Sequence, residues 1–363
     1  MSRFWNEKTR NICPYVAGEQ PREGQKVIKL NTNENPYPPS PSIEKFLKTF
    51  DPESLRLYPD TSCTKLRGAF AEFFGVRPGQ LFCGNGSDEV LAFAFQAFFE
   101  SGENAAPLLV PDISYSFYPV YADLYDIPLK KIPLSDDFSI PVEPFCAQEG
   151  GVAIANPNAP TGVAMSLASI EKILIANPDR VVLIDEAYVC FGGTSVVGLL
   201  EKYPNLLIIG TLSKSHSLAG LRLGYAIASE ELIEGICRIR DSFNSYPVDT
   251  LAQKVAELAV RDREWFEKST AKIIATRERV RTELLELGFD VPVSAANFLF
   301  VRPGQIGASE LYNNLRNQGI LVRYFNKPRI CEYLRISVGT DKQMDTLMSA
   351  IRKMQAQKKK ENE

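Results

Sequence analysis

The sequence predicts an α/β fold, with a large domain built on a mostly parallel sheet flanked by helices and a smaller α+β domain beside it. Three observations carry that expectation. Continuously apolar runs at residues 151–155, 181–184, 206–209 and 223–228 have the length of buried strands, and helical segments at 166–175 and 230–240 alternate with them. At 363 residues the chain exceeds one ordinary hydrophobic core and is expected to divide. Short strand-like runs at 298–301, 321–322 and 334–338 alternate with a helical stretch at 308–318, which marks a separate C-terminal unit.

Taken in order, residues 1–30 show little periodicity and read as an extended arm. Residues 31–50 open the smaller domain: the proline-rich LNTNENPYPPSP at 30–41 forbids helix, and a short helix follows at 43–49. Residues 51–245 form the large domain. It includes an amphipathic helix at 66–74 stopped by Gly75, a glycine-led entry into a helix at 84–100, and a strand at 106–110. Residues 246–285 read as a long connecting helix, and 286–363 as the rest of the smaller domain, ending in a solvated KKKENE tail.

Composition excludes several classes of function. Hydrophobic residues make up 45% of the chain and charged residues 23%, an ordinary globular balance with a net charge of −3. That charge gives no electrostatic reason to expect nucleic acid or an anionic membrane as partner. No apolar run approaches the roughly 20 residues needed to cross a bilayer, and the first residues lack a signal-peptide core, so the expected compartment is the cytoplasm. Seven scattered cysteines without a CxxC pair suggest neither a disulfide framework nor a zinc site, and no metal is expected. His216 is the single histidine, so any serine-histidine-aspartate triad would have to use it.

Chemistry concentrates around GTLSKSHSLAGLRLGY, residues 210–225. Lys214 lies there between two apolar strand candidates, among small hydroxyl residues. Burial penalises an ammonium and lowers its pKa, which makes Lys214 a candidate Schiff-base former rather than a plain solvated lysine. A second run, VVLIDEAY, ends its apolar stretch at Asp185, where the carboxyl end of a parallel strand opens onto a ligand crevice. A lysine to hold an aldehyde and a carboxylate to keep a pyridine nitrogen protonated are what pyridoxal phosphate chemistry requires. Ser87 and Asp88 open a helix whose free amides suit a phosphate, or they cap it. Thr211, Ser213 and the donor fork of Arg222 could join them. Arg323 and Arg335 sit inside apolar strand-like runs, a costly placement unless each meets an anion or a structural carboxylate.

NAPTG at 158–162, DEAY at 185–188, and Ser213-Lys214 followed by Arg222 together resemble the signature set of the fold-type-I pyridoxal-phosphate aminotransferases. Among these, the histidinol-phosphate aminotransferases are the most similar, and the resemblance runs from Tyr15 to the LRISVGT stretch at 334–340. It implies pyridoxal 5'-phosphate as cofactor and a homodimer with active sites shared across its interface. Lys214 is then the Schiff-base lysine and Asp185 the ring-nitrogen partner. Tyr188 serves the phenolate oxygen. Asn158 either stands in at Ala159, where the family often has asparagine, or that hydrogen bond is absent. Tyr115 would stack on the ring, with Tyr118 as the alternative. Ser87, Asp88, Thr211, Ser213 and Arg222 match the phosphate site, and Tyr58 the tyrosine that reaches the neighbouring subunit's phosphate. Tyr15, Asn35, Arg323 and Arg335 match substrate contacts.

The reaction so implied transfers an amino group between small molecules. Histidinol phosphate and 2-oxoglutarate give imidazole acetol phosphate and glutamate, in histidine biosynthesis. Threonine-phosphate decarboxylase and an aromatic amino-acid aminotransferase are alternatives on the same fold. A non-catalytic binding protein of that fold is the alternative from another class.

Overall fold

A computed structural model describes residues 2–15, 18–21 and 24–362, so residues 1, 16, 17, 22 and 23 of the expected arm lie outside the described residues. The strands are β1 (Ile28–Lys29), β2 (Leu81–Gly84), β3 (Leu108–Pro111), β4 (Leu129–Ile132), β5 (Val152–Ala155), β6 (Val182–Asp185), β7 (Leu206–Thr211), β8 (Gly224–Ala228), β9 (Phe298–Val301), β10 (Ile320–Leu321), β11 (Arg323–Tyr324) and β12 (Leu334–Ser337). The α-helices are α1 (Glu7–Asn11), α2 (Pro41–Thr49), α3 (Thr64–Phe74), α4 (Gly86–Phe98), α5 (Phe117–Leu124), α6 (Leu167–Ala176), α7 (Leu212–Ser215), α8 (Glu230–Phe243), α9 (Thr250–Arg261), α10 (Arg263–Glu286), α11 (Ala308–Asn317) and α12 (Asp341–Asn362).

Seven strands form one sheet in the order β2-β8-β7-β6-β5-β3-β4. Neighbours run parallel except at β8, which is antiparallel to both β2 and β7. Every residue of β5, β6 and β7 is buried, because helices cover both faces, and this is why these strands read as unbroken apolar runs. One core joins one face of the sheet to α3, α6 and α9, and a second joins the other face to α4, α5 and α8. A third core lies in the C-terminal unit, where the antiparallel sheet β11-β12-β9 packs with α11 and α12. The end of the N-terminal region joins that unit, since β1 pairs parallel with β10.

Local sequence sets the helix ends. The side chains of Ser40, Ser166, Ser229, Asp249 and Asp262 each accept a backbone N–H at a helix start, and Gly75 at φ +71° closes α3. Asp262 explains one difference from expectation: it ends α9 and caps α10, so the single connecting helix is two. Lys214 lies in the one-turn helix α7, capped by Thr211, rather than in an open loop. Helix α5 and strand β4 were not legible as elements, because FYPVYADL is crowded with aromatics and LKKI turns two lysines outward at a sheet edge. The terminal helix α12 continues to Asn362 through the stretch expected as a tail.

Candidate active site

The carboxyl ends of β3, β5, β6 and β7 lie side by side and open on a cavity of about 570 Å³, with Tyr15, Tyr115, Tyr188, Lys214, Arg323 and Arg335 in its walls. Lys214 is half-buried there; its Nζ lies 3.3 Å from the carbonyl oxygen of Thr32, and no carboxylate among the described residues pairs with it. Asn35, expected beside the substrate, instead donates to the main-chain oxygen of Lys214 at 3.0 Å and so steadies the lysine turn.

Asp185 ends β6 with only 6% exposure. Its carboxylate accepts from the Ala187 N–H at 3.0 Å and from the Tyr118 hydroxyl at 3.2 Å. Burial nevertheless pushes its pKa up to about 6, against those hydrogen bonds. A buried carboxylate with no ion-pair partner among the described residues is suited to a cationic group brought by a ligand. Both aromatic candidates line the cavity, and they differ in their hydrogen bonds. Tyr118 is fully buried and holds Asp185, whereas Tyr115 faces the cavity with its hydroxyl donated to Asp88 at 2.7 Å.

The loop after β5 corrects the expectation for Asn158. Its amide donates to the Ile113 carbonyl at 2.9 Å and to Thr161 Oγ1 at 3.2 Å, and its oxygen accepts from Ser114 at 2.8 Å. One amide hydrogen thereby joins two loops and the other bonds within its own loop, so both are engaged inside the protein. Ala159 lines the cavity with a methyl group in the neighbouring position. Tyr188, packed edge-on against Phe298, offers the hydroxyl on this side.

At the other end, α4 starts without a side-chain cap from Asn85, so its first amides are open to an anion. The cradle is tight. A Cβ on Gly86, where φ is +84°, would lie 2.5 Å from Arg222 Nη2, and one on Gly224 would lie 2.3 Å from the Ser87 nitrogen. Arg222 pairs with Asp88 at 3.0 Å. The Asp88 carboxylate is therefore committed to Arg222 and Tyr115, and only its amide is free for a phosphate. Thr211 likewise shapes the turn, accepting the Ser213 N–H at 3.1 Å and lying 3.1 Å from the Leu223 carbonyl. These features fit a phosphorylated pyridine aldehyde: open amides, Ser213 and Arg222 for the phosphate, Asp185 for the ring nitrogen, and Lys214 for the aldehyde.

Arg323 and Arg335 are direct cross-strand partners. Two like charges in that register repel each other, and neither forms an ion pair with a carboxylate among the described residues. Arg335 donates to the Asn31 carbonyl at 2.9 Å, its Nε is buried without a partner, and burial lowers its pKa. An anion placed between them would relieve that repulsion. Tyr15 stands nearby, its ring 4.3 Å from that of Phe117. Tyr58 is not brought to this cavity; it is 81% exposed and stacks on Tyr246. His216 packs against Phe266, hydrogen-bonds Ser215 and is held neutral by burial, with a pKa near 4.

The fold and this constellation define an aminotransferase: residues 25–351 match the family model for aminotransferase class I and II, and the chain belongs to that family. A histidinol-phosphate aminotransferase of Chromohalobacter salexigens is 53% identical over 351 residues, covering 97% of this chain and 99% of the relative. One from Clostridium acetobutylicum is 52% identical over 352 residues, covering 97% and 99%. Among solved structures, a histidinol-phosphate aminotransferase from Sinorhizobium meliloti in complex with pyridoxal-5'-phosphate superposes with a TM-score of 0.86 at 22% identity, covering 98% of this chain and 99% of that one.

Sequence reasoning missed what Tyr118 and Asn33 do. In the sequence Tyr118 reads only as an alternative stacking ring, and Asn33 only as one residue of the proline-rich stretch at 30–41. Nothing in the local pattern marks either as a partner of Asp185 or Tyr188.

Proposed function

We propose that the protein is a pyridoxal 5'-phosphate-dependent aminotransferase that converts histidinol phosphate and 2-oxoglutarate into imidazole acetol phosphate and glutamate, in histidine biosynthesis. The observation that carries this reading is one cavity walled by Lys214 and two arginines without ion pairs, with the carboxylate of Asp185 buried behind its Tyr118 wall and within reach of the Lys214 charge. Pyridoxal phosphate bound there supplies an aldehyde and an electron-accepting ring, the chemistry by which an amino group is carried between substrates.

The chain's own residues supply the rest. Lys214 is the amine that holds the aldehyde and, when free, carries a proton off the substrate carbon. Asp185 favours a protonated ring nitrogen, Tyr115 gives the ring a flat face, and Tyr188 donates to the ring oxygen. The amides of Ser87 and Asp88, with Ser213 and Arg222, hold the phosphate. Tyr15, Arg323 and Arg335 receive the anionic end of the substrate: a phosphate in one half-reaction and a carboxylate in the other. Asn35, Asn158 and Thr211 act by fixing the backbone around these groups.

The working form in this reading is a homodimer in the cytoplasm, with Tyr58 completing the neighbouring subunit's phosphate site. The exposed Leu55, Leu57 and Tyr58, with Tyr58 stacked on the exposed Tyr246, support an interface there, and no helix among the described residues is long and apolar enough to cross a membrane. The division into an arm (1–30), a large domain (51–245), a connector (246–285) and a smaller domain (31–50 with 286–363) belongs to the same reading, except that α2 and α9 pack in the core of the large domain.

A single-turnover experiment tests the assignment. Histidinol phosphate added to the cofactor-loaded protein should bleach its visible band, and 2-oxoglutarate should restore it. An unchanged band refutes the reading, and carbon dioxide release from threonine phosphate would replace it with the decarboxylase.

A further inference from the structure

The hydrogen bonds of Asn33 fix the direction of a proton in the active site. Asn33 is buried, at 1% exposure, and held at φ +56°, a left-handed conformation that asparagine tolerates better than most residues. Ser337 Oγ accepts the Asn33 backbone N–H at 2.8 Å and donates to Asn33 Oδ1 at 2.9 Å. The Asn33 carbonyl accepts from Asn297 at 3.0 Å. With its oxygen engaged by Ser337, the side chain must present its NH₂ to the Tyr188 hydroxyl, 3.0 Å away. The phenol oxygen therefore accepts from Asn33, and its own proton has to go elsewhere. No other hydrogen bond to that hydroxyl exists among the described residues, and Tyr188 lines the cavity. On the neighbouring loop, Ala159 offers no competing donor.

We propose that Asn33 is the positioning residue that aims Tyr188, occupying an acceptor site of the phenol oxygen so that its single proton points at the ring oxygen of the bound cofactor. The inference rests on the functional reading above. It adds a residue in the cavity wall that acts through Tyr188, and it ties Tyr188 to β12, the strand that carries Arg335.

A hydrogen bond to the ring oxygen stabilises its anionic form. Weakening that bond therefore moves the pH midpoint of the cofactor's visible absorption upward. Arg323, Arg335, Lys214 and Asp185 are charged groups around the site, and all four are unchanged in the variants; Asn33→Ala adds no charge, so its shift isolates the hydrogen bond. Spectrophotometric pH titration of cofactor-loaded protein is the measurement. Asn33→Ala should raise the midpoint by roughly half to one pH unit, the size expected for one hydrogen bond. Asn33→Asp keeps the shape but turns the donor into an acceptor that captures the phenol proton. It should shift the midpoint further, toward the value for Tyr188→Phe. In a Tyr188→Phe background, Asn33→Ala should add nothing. The inference is overturned by an unmoved midpoint in Asn33→Ala, or by an equal shift with and without the Tyr188 hydroxyl. If the unsubstituted protein takes up no cofactor, the functional reading falls and this inference with it. An intact chromophore that ignores position 33 removes the inference alone.

Discussion

Asp185→Asn should make the cofactor-free protein more stable at neutral pH while weakening its hold on the cofactor. The Asp185 pKa rises from 3.8 to about 6 on folding, chiefly through burial. A raised folded pKa means the native state binds the proton more tightly than the unfolded chain does. Stability from this group is therefore fully present below pH 3.8 and is lost as pH rises through about 6. The gap of about two pH units corresponds to about 3 kcal/mol, the order of penalty that ionised Asp185 imposes on the empty site. An asparagine of the same shape still accepts the Ala187 N–H, and comparing the two residues in a Tyr118→Phe background keeps the substitution from stranding the Tyr118 hydroxyl proton. For a chain of this length the relief amounts to about 4 °C in melting temperature. Thermal melts of cofactor-stripped protein in that background should show the asparagine variant about 4 °C higher at pH 8 and the gap closing toward pH 4.5. Added pyridoxal phosphate should reverse the ranking, because the wild-type carboxylate then has a cation to meet. A cofactor-free variant that melts below its aspartate counterpart at pH 8 would refute the claim that the carboxylate stands buried without a partner.

Other substitutions probe the remaining parts of the site. Lys214→Ala should lower turnover on the order of 10³-fold or more and abolish borohydride trapping of the cofactor on the chain, read by peptide mass mapping. Arg335→Met should leave the cofactor-free melting temperature unchanged or raised, since an unpaired buried charge is removed, while KM for the phosphorylated substrate rises about 10- to 100-fold. If Tyr58 serves the neighbouring subunit, mixing Lys214→Ala with Tyr58→Ala protein should regain activity neither has alone, to about a quarter of wild type under random subunit exchange. No recovery in that mixture would remove the cross-subunit role.

Lys214 and Asp185 were legible because each follows a fully buried strand, and an apolar run that ends in a charge stands out without neighbours. Arg335 was legible for a related reason: a charge inside an apolar strand calls for a partner. The direction in which a side chain points was not legible. Asn158 faces Ser114 and Ile113, and Tyr118 faces Asp185, through contacts that only the assembled sheet creates. Strand direction was hidden in the same way. Strand β8 has the composition of its parallel neighbours and runs the other way because the short turn after Lys214 leads straight back. The exposed Tyr58 yields its role only to resemblance, since nothing in a single chain gives its hydroxyl a target.

Strand β1 pairs with β10, and Asn33 bonds to Ser337 across a sequence separation of 304 residues. A ribosome adding roughly 5–20 residues per second needs roughly 15–60 s to cover that distance. For that interval the opening stretch of a growing chain has no mate. Its polar, proline-broken spelling and two-residue strand make it a poor template for stray pairing meanwhile. A joint that closes only near the end of synthesis is thus the one that sets Tyr188, and a truncated product lacking β12 would leave the reaction site unfinished.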